Sequence, residues 1–326
     1  MTWLATFRTA RWRPWFLGLM ASLFFAVTFV ANEVVSRTGG SWAWNAPLRY
    51  FLTLPILFTY VAWKGRLGAL LKSLRGDFWR WVAFGTLGFG LFYAPLCLAN
   101  AYGPAWLVAG VWQTTIVCGV LLTPWLSARR PDGRHAPIPV RELVTSLGIV
   151  AGAMLMEMAD ASQMSWGRAA LCAASILIAA TAYPAGNRMA MRAYAGEFDA
   201  LERMLGMTLG SLPFWLAWSS VSAAAVGWPT PRQIAGALLV AVCSGVIATA
   251  LFFRATDMAR ESPRALAAVE ATQAGEVVFA LILELAVLPG DRVGLLGALG
   301  VATVVVGLVI HGLAMAARHV SSDGGE

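Results

Sequence analysis

Three carboxylates lie in a stretch of the chain that is otherwise apolar enough to sit in lipid. Residues 266–285 read LAAVEATQAGEVVFALILEL and contain Glu270, Glu276 and Glu284, with Gln273 between the first two. A charge near the centre of a membrane helix costs about 2.5 to 3.5 kcal/mol. A carboxylate held there must therefore line water or contact another polar group, and in either place it can take up and release a proton.

On a continuous helix these side chains would share one face. At about 100° per residue, Gln273 lies about 60° from Glu270, Glu276 lies about 60° further on, and Glu284 returns to within about 40° of Glu270. Glu270 and Glu276 are therefore predicted to line a pathway and to bind proton and cationic substrate in competition. Under the structural alternative, each glutamate pairs with Arg49 or caps a broken helix. Glu284 is expected to be solvated near the outer membrane surface.

Further polar and aromatic side chains are predicted to face the same pathway. They are Trp112, Gln113, Asn32, Glu33, Tyr183, Asn187 and Arg49. Trp112 lies away from the membrane interface, where tryptophan usually collects, and can stack on a planar or cationic ligand or simply pack. For Arg49 two roles stay open, a clamp for a substrate carboxylate or an ion pair with Glu33, and the sequence favours the ion pair.

The composition identifies the environment of these residues. The chain has 326 residues, of which 59% are hydrophobic and 13% charged, and its mean hydropathy is +0.67. Apolar windows of about 20 residues, each long enough to cross a bilayer as a helix, follow one another. The fold class is an all-α integral membrane protein with ten predicted spans at 15–36, 45–63, 79–100, 105–127, 140–158, 166–187, 203–226, 232–253, 265–288 and 293–316.

The distribution of Lys and Arg predicts the orientation. If the N-terminus is cytoplasmic, 19 of the 24 basic residues fall in inner loops and tails. Both termini are therefore predicted to be cytoplasmic. The same distribution accounts for the net charge of +7 and the pI of about 9.7, because the excess is spread over many loops. A nucleic-acid partner is therefore not expected.

A weak internal repeat relates residues 15–127 to residues 166–288. It pairs Arg49 with Arg203 and Asn32 with Asn187, while Pro104 and Pro263 are 159 residues apart. Five spans per repeat is an odd number, so the second copy enters the membrane from the opposite side. Two inverted halves suit a carrier that opens alternately to each side around a site near the midplane.

The repeat divides the chain into two units and a tail. Residues 1–130 hold the first four spans of the N-terminal five-helix repeat, and its fifth span, 140–160, follows a loop that runs to about residue 139. Residues 161–316 form the C-terminal five-helix repeat, and residues 317–326 form a cytoplasmic tail.

Several other functions are disfavoured by what the sequence lacks. Its four cysteines fall inside predicted spans without metal-ligand spacing, so no disulfide, metal or cofactor is expected. No GxxxxGK[ST] signature accompanies the spans, so ATP is not the direct driver. The three histidines form no catalytic constellation. An intramembrane enzyme stays a distant alternative, and the short loops argue against a receptor or scaffold.

Seven segments carry a resemblance to a known family. They are SLFFAVTFVANE (22–33), SWAWNAPLRY (41–50), VWQTTI (111–116), AYPAGNR (182–188), GSLPFW (210–215), SGVIATALFFRAT (244–256) and VEATQAGEVVFA (269–280). The chain resembles the drug/metabolite transporter superfamily, in its EamA-like ten-helix branch, and within it the multidrug resistance efflux transporters. The resemblance implies two inverted five-helix repeats. Where the wider EamA pattern has Leu-Gly-Glu, this chain has LPGD at 288–291, so the role of that glutamate is not carried over.

The sequence thus predicts a secondary active transporter of the bacterial inner membrane. It would export hydrophobic or cationic drugs or metabolites by alternating access, coupled to proton entry. The alternative is an exporter of amino acids or other neutral or zwitterionic metabolites. The expected partners are a small-molecule substrate, protons and the lipid bilayer, without nucleic acid or ATP. One chain contains a complete inverted pair, so a monomer would suffice.

Overall fold

The protein is a bundle of helices. The computed structural model describes residues 2–126, 138, 140–161, 166–194, 196–259, 269, 272–288 and 293–322, and these residues contain no strand. The helices of the first half are α1 (Thr2–Arg37), α2 (Trp42–Trp63), α3 (Leu67–Gly76), α4 (Phe78–Gly85), α5 (Leu91–Tyr102), α6 (Ala105–Trp112), α7 (Thr115–Leu121), α8 (Thr123–Leu126), α9 (Val140–Thr145) and α10 (Leu147–Ala161). Those of the second half are α11 (Trp166–Ala193), α12 (Ala200–Val226), α13 (Pro231–Val240), α14 (Thr249–Ala259), α15 (Ala274–Val287) and α16 (Leu295–Ser322).

Apolar helices of membrane-spanning length recur along the described chain. Five are long and apolar enough to cross a membrane, namely Arg13–Arg37, Phe78–Tyr102, Trp166–Ala193, Ala200–Val226 and Pro231–Thr256. Three shorter apolar helices are Ala105–Leu121, Leu147–Met156 and Leu295–Ile310. The chain is therefore a multi-pass membrane protein, and the count of ten spans stays a prediction.

Two of the long membrane-spanning helices, Phe78–Tyr102 and Pro231–Thr256, contain a stretch of π-helix. Residues Thr86–Gly90 join α4 to α5, and residues Ala241–Ala248 join α13 to α14. A π-helix widens the turn by one residue and often lies at a functional site. Neither stretch is predicted by hydrophobic periodicity, because the apolar pattern continues through both.

Glycines allow some helix backbones to touch. A methyl group at Gly186 of α11 would lie 2.3 Å from the Gly88 nitrogen, and one at Gly210 of α12 would lie 2.2 Å from the Trp81 carbonyl oxygen. These distances leave no room for a side chain. Small residues at such crossings let membrane helices approach closely and gain van der Waals contact.

An ion-pair network joins two loops at one end of the bundle. Lys64 contacts the Asp199 carboxylate, Arg66 Nε lies 3.2 Å from Glu202 Oε1, and an Arg66 N–H donates to the Glu197 carbonyl at 2.6 Å. The hydrogen bond to Asp199 raises the pKa of Lys64. Partial burial acts to raise the pKa of Asp199, but hydrogen bonds from Lys64 and from the Glu202 backbone outweigh it, so the pKa is lowered. Both loops were predicted to be cytoplasmic, and the network places them at the same end.

Candidate functional site

The helix predicted for the fourth span is interrupted in the middle. The chain turns at residues 113–114, between α6 and α7. The Gln113 N–H donates to the Gly110 carbonyl at 3.1 Å, and the Ile116 N–H donates to the Gln113 carbonyl at 3.1 Å. These are i to i+3 bonds, which tighten the chain and reorient the side chains that follow.

A second interruption has the same hydrogen-bond pattern. Val269 is helical, and the chain turns at residues 272–273 before α15 begins. The Thr272 N–H donates to the Val269 carbonyl at 3.0 Å, and the Gly275 N–H donates to the Thr272 carbonyl at 2.8 Å. Each of these bonds lies 159 residues after its counterpart in the first interruption, which is the spacing between Pro104 and Pro263.

The side chains of Gln113 and Glu276 connect the two interruptions. Glu276 lies in the first turn of α15 and is only 5% exposed. Gln113 Nε2 donates to Glu276 Oε2 at 3.1 Å and to the Ala109 carbonyl at 3.3 Å. The amide and the helix N-terminus both favour a negative charge on Glu276.

Three aromatic rings lie beside this pair. The Phe92 ring centroid is 5.1 Å from that of Trp112 and 4.8 Å from that of Tyr183, and the Trp112 and Tyr183 rings are 5.5 Å apart in an edge-to-face arrangement. Trp112 directly precedes Gln113 at the end of α6, while Phe92 belongs to α5 and Tyr183 to α11. The cluster offers flat apolar surface next to a carboxylate.

Tyr183 indicates that accessible space adjoins this cluster. On α11 it shares a face with Cys172, Ile176, Ala179 and Ala190, which are all at most 1% exposed. Tyr183 itself is 38% exposed. Accessible surface on the buried face of a helix indicates incomplete packing, and the recess that this leaves at Tyr183 adjoins the Phe92 and Trp112 rings.

Arg49 of α2 forms a second polar cluster. It is 9% exposed, and its Nη2 donates to Ser244 Oγ at 3.0 Å. The guanidinium carbon lies 4.2 Å from the centre of the Tyr93 ring, and the Tyr93 hydroxyl accepts a hydrogen bond from Asn32 Nδ2 at 3.0 Å. Tyr183 lies near enough to both Arg49 and Glu276 for their charges to act on its hydroxyl group, so the two clusters are neighbours.

Two other buried carboxylates cap the start of α6. Glu33 Oε2 accepts from the Ala105 N–H at 2.7 Å, and Glu284 Oε2 accepts from the Trp106 N–H at 2.7 Å. Glu33 also pairs with Arg37 at 2.6 Å. These contacts satisfy amides that a helix start leaves without partners. Glu33 and Glu284 thus have a structural role in this conformation.

Three sequence-based expectations are corrected by these contacts. The favoured ion pair between Arg49 and Glu33 is wrong, because Glu33 is held by Arg37 and the α6 amide. The solvated position of Glu284 is wrong, because the residue is 1% exposed. The single continuous helix is wrong as well, because the chain turns at residues 272–273, so Gln273 lies in a turn and Glu276 in the helix that follows it.

The remaining predicted residues are placed as follows. Gln273 lies at the second turn, and its Nε2 is buried without a hydrogen-bond partner. Asn187 Nδ2 donates to the Tyr183 carbonyl of its own helix at 3.1 Å. Glu270 lies outside the described residues. Sequence reasoning missed Phe92, Tyr93 and Ser244, because single aromatic or hydroxyl residues in membrane helices most often serve packing.

A separate groove lies away from this region. Its volume is about 540 Å³, and it is lined entirely by α2, through Pro55, Ile56, Thr59, Tyr60 and Trp63. Neither Arg49 nor Glu276 contributes to it. Within the described ranges, no group of three or more His, Cys, Asp or Glu side chains is arranged to hold a metal ion.

The comparison with protein families decides the kind of protein. Residues 12–317 match the family model described as "EmrE: Putative multidrug resistance efflux transporter". The chain belongs to this multidrug resistance efflux transporter family. The family consists of membrane efflux transporters, which implies that the chain is not an enzyme.

Relatives of this transporter occur in bacteria. It is 43% identical over 307 residues to "Uncharacterized protein YjlA" of Bacillus subtilis (strain 168), covering 93% of this chain and 95% of the relative. It is 39% identical over 272 residues to the "Uncharacterized 42.1 kDa protein in intracellular alkaline protease 3'region" of Shouchella clausii, covering 83% and 72%. A solved structure known as "Crystal structure of protein" matches with a TM-score of 0.61 at 15% identity, over 94% of this chain and 98% of that one. That likeness concerns the fold alone.

The caps on α6 allow a stability prediction for the transporter. Replacing Glu284 with alanine leaves the buried Trp106 N–H without its acceptor. The free energy of unfolding should therefore fall by about 1 to 2 kcal/mol. The measurement is thermal unfolding in detergent. Glu197→Ala is the control, because Glu197 is exposed and only its backbone carbonyl accepts from Arg66. Equal melting temperatures for the two variants would contradict the capping role.

Proposed function

We propose that the protein is a proton-coupled secondary transporter that exports small organic compounds by alternating access. Glu276 is the coupling group, and it binds a proton in one part of the cycle and releases it in another. The observation that carries this proposal is the position of Glu276, a buried carboxylate at a helix interruption that contacts Gln113 at the equivalent interruption.

The two interruptions support an inverted repeat. Their hydrogen bonds correspond at a spacing of 159 residues. The π-helical stretch Thr86–Gly90, moved by the same spacing, falls on residues 245–249 and overlaps Ala241–Ala248. In transporters built from inverted repeats, helices broken at corresponding positions of the two halves form the substrate and ion site.

The coupling has enough energy to drive export. For a substrate without net charge, each proton that enters moves one elementary charge, which through 100 mV is worth about 2.3 kcal/mol and supports roughly a 50-fold concentration gradient. Exchange of one proton for one monovalent cation moves no net charge, so the pH difference alone drives it. When Glu276 is ionised, it accepts the Gln113 hydrogen bond. When it is protonated, its charge is lost and the bond weakens, so the contact between the two interruptions depends on proton occupancy.

The rings and the recess at Tyr183 suit the apolar body of a substrate. Hydrophobic or cationic drugs and metabolites would stack on Trp112 and Phe92, and a cation would compete with the proton for Glu276. The alternative class, amino acids and other zwitterionic metabolites, is favoured by one specific observation, the buried guanidinium of Arg49.

The proposed location is the inner (plasma) membrane of a bacterium, with both termini cytoplasmic, ten spans, and a monomer as the working unit. The basic residues of the predicted inner loops support the orientation. The bacterial relatives support the source. Protons and the substrate are the proposed partners, and ATP is not required.

The test is transport by purified protein in sealed vesicles. A pH gradient, acidic inside, is imposed on vesicles in which the protein faces inside-out, and a compound panel is screened for accumulation and for proton release from the lumen. We expect accumulation that an uncoupler abolishes. Movement that only equalises concentrations, whatever the gradient, would contradict proton coupling, and dependence on ATP would contradict secondary transport.

A further inference from the structure

We propose that Arg49 binds a carboxylate group of the transported compound. The inference rests on the proposed transport function and, of the two substrate classes given there, selects the compounds that carry a carboxylate. It starts from a buried charge that has no counterion in the described part of the chain. Among the described residues, no carboxylate lies within ion-pair distance of Arg49. Glu33 is held by Arg37, and Glu276 is held by Gln113.

An unpaired guanidinium in this place is unfavourable unless something binds to it. Arg49 is nine-tenths buried, and its five N–H donors have two described partners, the hydroxyl groups of Ser244 and Tyr93, neither of which carries a formal negative charge. The Tyr93 ring below it compensates part of the charge. A buried cation without an anionic partner destabilises a protein, whereas an arriving carboxylate would complete the pair.

A second unused polar group lies beside the guanidinium. Thr53 follows Arg49 by one turn of α2 and is 1% exposed, and its hydroxyl has no hydrogen-bond partner. A methyl group at Gly245, next to Ser244, would lie 2.9 Å from that hydroxyl. Thr53 and Ser244 therefore lie close together where α2 packs against the π-helical stretch, next to Arg49. Their hydroxyl groups are the donors that an oxyanion bound at Arg49 would meet.

The charge balance selects a carboxylate over a phosphate. One guanidinium neutralises one negative charge and matches the two oxygens of a carboxylate in a bidentate arrangement. A phosphate monoester carries about 1.5 to 2 negative charges near neutral pH, and part of that would stay uncompensated. No second described Lys or Arg contacts this cluster.

The aromatic rings near Arg49 would contact the apolar part of a compound whose carboxylate binds Arg49. The Tyr93 ring under Arg49 lies 5.7 Å from Phe92, and Phe92 contacts Trp112 and Tyr183. A compound bound at Arg49 through its carboxylate can thus extend an apolar or aromatic group toward the recess at Tyr183. The substrate class is an organic carboxylate with an apolar body.

The test compares ligands that share a body and differ in charge. Binding of phenylacetate, phenethylammonium, phenylalanine and inorganic phosphate to the purified full-length protein is measured by calorimetry and by thermal shift. We expect phenylacetate or phenylalanine to bind and to raise the melting temperature. Binding of phenethylammonium alone, or of phosphate as tightly as of phenylacetate, would overturn the proposal.

Variants then assign the binding to Arg49. Arg49→Met should weaken carboxylate binding by at least about tenfold, and Thr53→Val should weaken it less. Because the unpaired charge is removed, the ligand-free Arg49→Met protein should melt at an equal or higher temperature than the wild type, whereas a purely structural arginine would give a lower one. Arg49→Lys, which keeps the charge but not the planar fork, covers the case in which the methionine variant does not fold.

The control is Arg75→Gln, which removes an exposed arginine from α3 and should leave both measurements unchanged. Carboxylate binding that Arg49→Met and Arg49→Lys leave intact would overturn the assignment. Arg49-dependent binding without proton-driven transport in the vesicle assay would overturn the proposed function and leave this inference standing. Proton-driven transport of cations alone would support the proposed function and overturn the assignment of a carboxylate to Arg49.

Discussion

Vesicles that contain the Glu276→Gln variant are expected to accumulate no substrate when a proton gradient is imposed. Glutamine has nearly the shape of glutamate and can still accept a hydrogen bond from Gln113 through its amide oxygen. The glutamine amide cannot bind and release a proton near neutral pH, as a carboxylate can. A proton gradient equivalent to 100 mV, which drives roughly 50-fold accumulation of a substrate without net charge by the wild type, should therefore leave about equal substrate concentrations on both sides of the membrane in the variant.

The expected defect is specific to coupling. Exchange of labelled for unlabelled substrate across the membrane should continue in Glu276→Gln, because that reaction needs no net proton movement. Glu284→Gln is the matched control, since Glu284 is also a buried glutamate on α15 but caps α6. It should retain proton-driven accumulation. Full accumulation by Glu276→Gln would remove Glu276 from the coupling role.

The second large effect is expected at a helix crossing. In Gly186→Ala the new methyl group would meet the backbone of Gly88 at 2.3 Å. Backbone atoms of a packed helix cannot turn away as a flexible side chain can, so α11 and the π-helical stretch must separate. Overpacking of this kind costs about 1 to 3 kcal/mol, and the backbone contact places this case at the upper end. Gel filtration and thermal unfolding in detergent measure the loss of folded protein.

The control for this substitution lies on the same helix. No atom outside the local helix lies within 4 Å of the place where a methyl group at Gly167 would be. Gly167→Ala should therefore be neutral or slightly stabilising, because alanine favours helix over glycine by about 1 kcal/mol. If Gly186→Ala folds as well as Gly167→Ala, the close approach of the two backbones is not required for stability.

Local patterns account for the helices that sequence reasoning predicted. The windows at 166–187 and 203–226 correspond to α11 and α12, because hydrophobicity is a property of each segment and needs no partner. The interruptions at residues 113–114 and 272–273 have no such signal. Their sequences, QT and TQ, contain neither proline nor glycine. Contacts made by residues far apart in the chain, such as Gln113 with Glu276, stabilise them.

The pairing of charges was the least predictable part of the candidate site. Composition showed that buried carboxylates and a buried arginine need partners, and it suggested that they pair with each other. In the structure Glu33 and Glu284 bind backbone amides of α6, while Arg49 faces Ser244 and Tyr93. Whether a buried carboxylate binds an arginine or the free amides of a helix start depends on the distances between helices. Spacing along the sequence does not give those distances.

The contacts of the short helix α6 allow it to tilt about its start. It is about 12 Å long and lies against α15, which holds its start through Glu284 and its end through Glu276 and Gln113. In the proposed transport cycle, protonation of Glu276 would weaken the contact at the end of α6, while Glu284 would still hold its start. A tilt of about 10° about that pivot then displaces Gln113 by about 2 Å, enough to break its 3.1 Å bond. In the proposed cycle, binding of a single proton would thereby move the ring of Trp112, which directly precedes Gln113, relative to Phe92 and Tyr183.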